Sequence, residues 1–385
     1  MRLAFQLAYK NLIGAGLRTW LNSIVLSFAF VLIIFFNGLL DGWNQQARLD
    51  GINWEYANGH LINEEYDSYN PFSIQDGHAV LPKEDQANLT PVLVRQATIY
   101  PQGRMFPIML KGIDSKQSTI KLPSNLLNTS EANIPVIIGN RMAETTNLKV
   151  GDDVLLRWRD KNGTYDASSV TIVGIFDTNV AFVDSGQIWV AIDKLWEMTG
   201  LYNHASLFIA NDNYIHKNLK GWRYEDREFL LKELTKIIET KKVSSSIMYF
   251  LLLSIGLLAI FDTQVLSVFR RQKEIGTYIS LGMTRFQVVK IFTAEGSMYS
   301  IFAVFLAAAY GIPLLGYIAK TGITFPMSGD DYGIIMAETI YPVYSFNLVF
   351  GTIVIVVLLA TIVSFLPARK ISKMNPVEAL KGKLQ

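Results

Sequence analysis

The chain has 385 residues, of which 50% are hydrophobic and 18% are charged, and its mean hydropathy is positive. This composition argues against an ordinary soluble protein and favours an integral membrane protein. The formal net charge of +2 indicates no class of partner by itself, and the absence of cysteine excludes disulfides and thiolate metal sites.

The N-terminal stretch, residues 1–18, is amphipathic, with three basic residues and no acid. This pattern predicts a helix that lies on the cytoplasmic face of an anionic membrane. Residues 19–43 form the first predicted membrane span, and Trp20 and Trp43 fall near its ends, as interfacial aromatics do. The apolar run is too long for a cleavable signal peptide, so we expect it to remain as an anchor.

Residues 44–242 differ in composition from the first span, because charges, Asn, Gly and Pro are frequent and no apolar run approaches membrane length. This predicts a folded α/β domain of roughly 200 residues. Helices are predicted at Asp193–Thr199 and Tyr224–Lys242, and the second leads into the next span as a stalk. The predicted strands, which are short, β-branched and bounded by Gly, Asp or Pro, are Val92–Tyr100, Ile108–Gly112, Val136–Gly139, Val154–Trp158, Val170–Phe176 and Ile188–Ile192.

Three further spans follow this domain, and the segments that remain are short. The second, third and fourth spans are predicted at residues 243–269, 288–319 and 346–366, with a turn at 270–287, a loop at 320–345 and a tail at 367–385.

The basic residues are distributed unevenly among these segments. Residues 1–18, 269–290 and 367–385 hold thirteen basic residues and two acids, whereas the domain and the 320–345 loop hold most of the acids. By the positive-inside rule, both termini and the turn are expected in the cytoplasm, and the domain and the loop outside it.

The charged turn, residues 270–287, is the most patterned part of the chain. Ile275, Ile279, Leu281 and Phe286 mark a short amphipathic helix among basic residues. Such a helix offers a soluble partner an apolar ridge rimmed by charge. The alternative is a basic loop that only sets the topology.

The turn also carries a family resemblance. Its sequence R-R-x-K-E-I-G, then L-G-M-T, then a basic helix ending in E-G, resembles the coupling region of FtsX/MacB-type ABC permeases. LAYKNL near the N-terminus and PARK followed by NPVEAL near the C-terminus resemble the terminal signatures of that family. Residues 173–201 resemble the LolC/LolE lipoprotein-releasing branch. The resemblance implies the type VII permease fold, an α-helical bundle of four transmembrane helices with a large α/β periplasmic domain between helices 1 and 2.

The resemblance also implies a function. The chain is expected to be a non-catalytic, multi-pass subunit of the bacterial inner membrane that docks on a separate LolD-like ABC ATPase, which would bind ATP and Mg²⁺. A second permease copy or a paralogue, membrane lipids, and a lipoprotein or periplasmic protein as cargo are the other expected partners. The residues expected to couple to the ATPase are Lys273, Glu274, Ile275, Gly276, Leu281, Gly282, Arg285 and Phe286.

No catalytic, cofactor or metal site is predicted in the chain itself. It contains no G-x-x-x-x-G-K-[ST] phosphate loop, no G-x-S-x-G elbow and no H-E-x-x-H helix. The basic patches are juxtamembrane, which favours lipid headgroups over nucleic acid. The histidines are far apart in the sequence and are expected to be solvated or core residues; they are His60, His78, His204 and His216.

Two acids fall inside predicted spans and form a candidate intramembrane polar site. Asp262 lies in the second span, where a charge is costly and therefore marks a functional candidate. The alternative is that it reaches water or Arg270. Glu295 begins the third span, where an ion pair or a contact in the coupling joint is expected.

Three other functions remain open. A MacB-like efflux permease shares the architecture, but its ATPase is usually fused at the N-terminus, for which eighteen residues leave no room. An FtsX-like regulator of cell-wall hydrolases has the same spans but a domain of about half this size. A non-transporting membrane receptor or scaffold would lack any link to ATP, and the coupling turn argues against it.

Overall fold

The structure, a computed structural model, describes residues 17–68, 70–128, 133–325 and 339–373. The predicted N-terminal helix, most of the loop before the fourth span and the NPVEAL signature therefore lie outside the described residues. The helices are α1 (Leu17–Gly51), α2 (Ser73–Asp76), α3 (Asn140–Thr146), α4 (Ala181–Asp184), α5 (Ile192–Thr199), α6 (Arg227–Leu230), α7 (Lys232–Arg270), α8 (Gln272–Ser280), α9 (Arg285–Thr321) and α10 (Phe346–Ala368).

Four of these helices, α1, α7, α9 and α10, are long and apolar enough to cross a membrane. The strands lie mainly between α1 and α7, so the prediction of four apolar helices and a large α/β domain is confirmed. They are β1 (Gly59–Asn63), β2 (Ala79–Val80), β3 (Leu89–Ile99), β4 (Phe106–Ile113), β5 (Pro135–Gly139), β6 (Asp153–Arg159), β7 (Tyr165–Phe176), β8 (Gln187–Ala191), β9 (His204–Ala205), β10 (Leu207–Ala210), β11 (Trp222–Asp226), β12 (Ile323–Thr324) and β13 (Thr339–Ile340).

The chain forms two compact units, and the division between them falls within α1 and within α7. The α/β unit holds a nine-stranded sheet in the order β11-β1-β10-β3-β4-β8-β5-β7-β6. Strand β6 also returns to pair with β3, with Ala97 opposite Trp158, so six strands close into a ring. The inward and outward alternation that a strand requires is clearest in β6, where Val154, Leu156 and Trp158 are buried and the residues between them are exposed.

The prediction of one helix from Tyr224 to Lys242 is wrong at its N-terminal end. Residues 222–226 form β11, which pairs antiparallel with β1 and places Tyr224 opposite Leu61. The Tyr224 hydroxyl donates a hydrogen bond to the Asn58 carbonyl at 3.0 Å. The helix begins only after Asp226, whose carboxylate accepts from the Phe229 amide at 2.7 Å as an N-cap. Charge density thus predicted the helix correctly only beyond the cap.

Within the α/β unit, α1 ends in a π-helical turn, Ile52–Tyr56, which is fixed by a buried ion pair. Glu55 Oε1 lies 3.0 Å from Lys111 Nζ on β4, and both side chains are nearly buried. Lys111 also lies 4.9 Å from the ring centre of Trp189. His60 bonds to the carbonyl oxygen of Glu55 at 2.8 Å. The end of α1 is therefore held to the centre of the sheet by charge as well as by packing.

Helices α1 and α7 are joined by polar contacts within each unit. In the α/β unit, Arg48 donates to both oxygens of Glu228 at 2.7 and 2.9 Å and to the Thr235 hydroxyl at 3.3 Å. In the helical unit, Lys242 and Asp41 form an ion pair at 2.5 Å.

The helices of the helical unit approach one another closely at small residues. A Cβ atom at Gly38 would overlap Tyr344, and one at Gly296 would overlap Ser364. Small residues at such crossings are typical of membrane helices, because lipid gives apolar side chains no strong drive to associate and packing has to supply the stability.

Candidate functional site

The turn between the second and third spans is built by two local signals. Helix α8 ends at Ser280, and the chain turns at Gly282, whose φ of 99° lies in the region that favours glycine. Thr284 then caps α9: its hydroxyl accepts from the Gln287 amide at 3.3 Å, and the Gln287 side chain accepts from the Thr284 amide at 2.8 Å. The sequence therefore fixes where one helix stops and the next begins.

Arg271, between α7 and α8, links α8 to α9 through two carboxylates. It donates to Glu274 at 2.6 and 2.8 Å and to both oxygens of Glu295 at 3.0 and 2.7 Å. The Phe292 ring centre lies 4.7 Å from the guanidinium. Tyr278 adds a hydrogen bond to Glu274 at 2.7 Å. We call these residues the Arg271 clamp.

The charges of the clamp stabilise one another. Burial opposes the Arg271 charge, but the hydrogen bonds and charges of Glu274 and Glu295 outweigh it and raise the pKa of Arg271. The hydrogen bond from Arg271 is in turn the main cause that lowers the pKa of Glu274. Arg271 and Glu274 therefore each favour the ionised form of the other.

An apolar cluster lies beneath the clamp and joins α8 to the ends of α7, α9 and α10. Ile275 and Gly276 of α8 are buried. The other buried members are Val268, Val288, Val289, Phe292, Ala368 and Ile371. The turn is therefore an ordered joint, because charge fixes one side of α8 and apolar packing the other.

A different set of residues faces outward and forms what we call the turn face. Leu281 is 78% exposed and Phe286 is 61% exposed, which is high for apolar residues. Lys273, Arg285 and Lys290 are exposed around them, and Lys290 Nζ lies 4.6 Å from the Phe286 ring centre. An exposed apolar pair rimmed by cations matches a partner surface that combines an apolar groove with acidic groups.

The predicted coupling residues thus divide into two groups. Ile275, Gly276 and Glu274 belong to the interior of the joint, whereas the outward-facing residues are Lys273, Leu281, Gly282, Arg285 and Phe286. Arg271, which holds the joint together, was missed by the sequence reasoning. The i,i+3 spacing of Arg271 and Glu274 on one helical face was the signal that could have indicated it.

The two acids that were predicted to form an intramembrane polar site are not brought together. Asp262 is exposed on α7, and within the described part of the chain it makes no hydrogen bond or ion pair, including to Arg270. Glu295 is only 5% exposed and is paired with Arg271. Glu295 is therefore part of the joint between α8 and α9, and a functional role for Asp262 stays a prediction.

The structure brings two of the four histidines into contact in the α/β unit. His78 Nδ1 and His204 Nδ1 lie 3.0 Å apart beside the paired strands β2 and β9. Burial, then the charge of Arg95 and then His204, lower the pKa of His78 to about 4. No group of three metal-ligating side chains occurs among the residues that the structure describes, so this pair has no third ligand there.

Comparison with known proteins was made for the whole sequence. Residues 246–376, which include the turn, match the model of the FtsX-like permease C-terminal domain. An uncharacterised ABC transporter permease of Methanocaldococcus jannaschii is 25% identical over 251 residues, which are 61% of this chain and 58% of that protein.

Two kinds of bacterial transporter are also similar. LolC of Xylella fastidiosa, a lipoprotein-releasing system transmembrane protein, is 22% identical over 332 residues, covering 77% of this chain and 78% of LolC. MacB of Vibrio parahaemolyticus, a macrolide export ATP-binding/permease protein, is 26% identical over 149 residues, covering 39% of this chain and 20% of MacB.

Proposed function

The chain carries an FtsX-like permease domain and is related to LolC and MacB, and on that premise we propose that it is the membrane-spanning subunit of an ATP-driven transporter that extracts lipoproteins from a bacterial inner membrane. A separate ATPase binds ATP and Mg²⁺, and a second permease copy or paralogue completes the complex. The relative named for lipoprotein release aligns over most of both chains, which supports this cargo class.

The observation that carries the proposal is the turn face. Leu281 and Phe286 are exposed at the end of an ordered joint, and Lys273, Arg285 and Lys290 surround them. Exposed apolar residues of this size are costly in water, so they favour burial against a partner. Basic residues at the rim steer that partner by its acidic groups and increase the rate of encounter.

The Arg271 clamp is the element that makes docking effective. Since Arg271 connects α8 to Glu295 on α9, movement of the docked turn displaces α9 without an intervening flexible loop. In this mechanism the force reaches the α/β unit through α1 and α7, which run continuously into it. The α/β unit then acts on a cargo that remains partly in the membrane.

The test is purification of the tagged chain from native membranes, followed by mass spectrometry and an ATPase assay. We expect a P-loop ATPase to co-purify with the unaltered chain, together with an acylated protein. L281D and F286A should lose the ATPase, because they place a charge in the apolar contact or remove its largest group. I215D is the matched control, since Ile215 is 81% exposed but lies in the α/β unit.

Each other outcome has a definite meaning. Recovery of no ATPase with the unaltered chain would refute the proposal and leave a membrane receptor or scaffold. Retention of the ATPase by both L281D and F286A would place the docking surface elsewhere.

A second candidate is export of a small molecule through a periplasmic adaptor. It is favoured by the MacB relatives, which are named for macrolide export and align over 39 to 51% of this chain. In the same purification, an ATPase with an adaptor and no acylated protein would select this candidate. An ATPase with a cell-wall hydrolase would select the regulatory alternative.

A further inference from the structure

The helical unit contains polar side chains in its interior. Two neighbours on α7 differ in their hydrogen bonding: Thr263 has a partner, and Gln264 has none among the described residues. Asn22 of α1 donates from its amide to the Thr263 hydroxyl at 2.5 Å and to the Ala259 carbonyl at 3.4 Å. This contact joins α1 to α7 with a satisfied polar pair, as is expected where water is excluded.

Gln264, the next residue on α7, is not satisfied. Its side chain is fully buried, and neither the amide nitrogen nor the amide oxygen has a hydrogen-bond partner among the described residues. Exchange of the two atoms by an amide flip does not help, because both lack a partner. A buried amide without hydrogen bonds is costly, and in a bundle of membrane-length helices no lipid can supply them.

The location of Gln264 indicates why this cost is tolerated. A Cβ atom at Gly296 of α9 would lie 3.0 Å from Gln264 Cδ and would overlap Ser364 Oγ of α10. The amide of Gln264 and the hydroxyl of Ser364 therefore face the same glycine and are close, yet they do not bond. Ser364 donates to the Ala360 carbonyl at 2.7 Å and still has capacity to accept.

We propose that the contact of Gln264, Gly296 and Ser364 between α7, α9 and α10 can adopt two positions, and we call it the two-position contact. In the position that the structure shows, the Gln264 amide is unpaired among the described residues. In the second position the Gln264 amide donates to Ser364. Movements of helices by about 1 to 2 Å at an interface are typical of such transitions. Only glycine at position 296 leaves the space for this movement.

The contact is connected to the turn, and this step rests on the proposed function. Glu295, which Arg271 holds, is the neighbour of Gly296 on α9. Displacement of α8 by a docked ATPase therefore acts on α9 one residue from the contact. The unpaired amide raises the free energy of the position that the structure shows. The free-energy difference between the two positions is therefore smaller, so that docking can shift their populations.

The first experiment measures the thermal stability of the full-length chain in lipid nanodiscs and does not involve the ATPase. Q264M replaces an unpaired amide by an apolar side chain of similar length, and we expect the Tm to rise by a few degrees. N22L is the matched control, because it removes an amide that is paired. Its Tm should fall. A fall of the Tm in Q264M would overturn the proposal, since the amide would then be satisfied.

The second experiment observes the two positions directly. The chain has no cysteine, so L266C places one trifluoromethyl tag on the exposed side of α7 beside the contact. We expect two ¹⁹F resonances in the otherwise unaltered chain and one in the Q264M background. A single resonance with the same shift in both proteins would overturn the proposal whether or not the chain is a transporter.

The third experiment asks whether the movement is used. In vesicles that contain the ATPase, Q264M should slow ATP-dependent cargo release by at least about fivefold, because it favours one position. Unaltered release by Q264M, when the ATPase and the unaltered chain are active, would overturn the functional part of the proposal. Absence of release by the unaltered chain would instead refute the proposed function, and the first two experiments would still decide the two-position contact.

Discussion

Two arginines of the turn occupy opposite environments although both follow the end of the second span. Arg271 is largely buried and makes four hydrogen bonds to two carboxylates, whereas Arg285 is exposed and donates to the Ser372 carbonyl at 3.2 Å. Burial decides what each contributes, because a buried charge must be matched within the protein and an exposed one is matched by water. Arg271 therefore contributes to the stability of the joint, whereas Arg285 belongs to the turn face that we propose as the docking surface.

Replacement of Arg271 is predicted to destabilise the helical unit. R271M removes the ion pair and the hydrogen bonds that Arg271 makes to the buried Glu295 carboxylate, and we expect a loss of about 3 kcal/mol in the free energy of unfolding. Denaturant unfolding in detergent micelles measures this value. R271M/E295Q should recover part of the loss, and R285M, the control, should unfold like the unaltered chain. Equal stability of R271M and R285M would contradict the role of the clamp.

The histidine pair predicts a dependence of stability on pH in the α/β unit. The folded-state pKa of His78 is about 4, below its ordinary value of 6.5, so the unfolded chain binds a proton between these values that the folded chain does not. Stability at β2 and β9 should therefore be complete above pH 6.5 and decrease as the pH falls towards 4. Arg95 strengthens this effect, and the carboxylate of Asp76 opposes it.

Hydrogen exchange at the Ala79 and Ala205 amides measures this decrease. The H78Q variant retains a polar group that can bond to His204 but does not titrate, so its exchange should depend much less on pH in this range. Identical pH profiles for H78Q and the unaltered chain would show that another group is responsible.

The π-helical turn at the end of α1 links this helix to the sheet of the α/β unit. Its Glu55 and the Lys111 side chain are 13% and 9% exposed, so neither charge is well hydrated. Trp54 of the same turn stacks on Phe176 at 5.7 Å. The turn is therefore attached to the sheet by both an ion pair and an aromatic contact.

We predict that K111M destabilises the α/β unit by about 3 to 5 kcal/mol, because Glu55 loses its partner in a poorly hydrated site. E55Q/K111M should restore most of that stability, since no unpaired charge remains. The matched control is K217M: Lys217 lies 3.6 Å from Asp85 at an exposed position, and its loss should cost at most about 1 kcal/mol. Urea unfolding followed by tryptophan fluorescence distinguishes the three variants. A K111M variant as stable as K217M would exclude the connection.

At the scale of the whole molecule, the uneven distribution of basic residues predicts the orientation in the membrane. The turn should face the cytoplasm and the α/β unit the opposite side. K273C and N162C place single cysteines in exposed positions of a chain that otherwise has none. A membrane-impermeant maleimide applied to spheroplasts should label N162C directly and K273C only after permeabilisation. Labelling of K273C in sealed spheroplasts would reverse the assigned orientation.

The sequence predicted the features that depend on local pattern. All six predicted strands are present, with ends that differ by a few residues, because β-branched runs between Gly, Asp and Pro are a local signal. The other three strands of the nine-stranded sheet, β1, β10 and β11, were missed: GHLIN and WRYED have little alternation, and pairing with each other stabilises them. Charge density alone made the residues before Asp226 resemble a helix.

The sequence predicted the turn between the second and third apolar helices but not the contacts that build it. Exposed and buried members of the turn cannot be separated without the positions of α9 and α10, which pack beneath it. The bond from Arg271 to Glu295 joins residues 24 positions apart, and the histidine pair joins residues 126 positions apart. Such contacts follow from tertiary packing, which periodicity does not encode.

The pairing of β1 with β11 has a mechanical consequence. α1 leads into β1, and β11 leads into α6 and α7, and Gly59 lies opposite Asp226 at the end of the pair where both helices attach. If the helices were pulled apart, the hydrogen bonds between β1 and β11 would break one after another from the end where the helices attach, because these bonds run across the strands. If the helices advance together, as the Arg48 contacts to Glu228 and Thr235 favour, no single bond is loaded. The α/β unit is thus stiff towards a thrust shared by both helices and yields to a force that separates them.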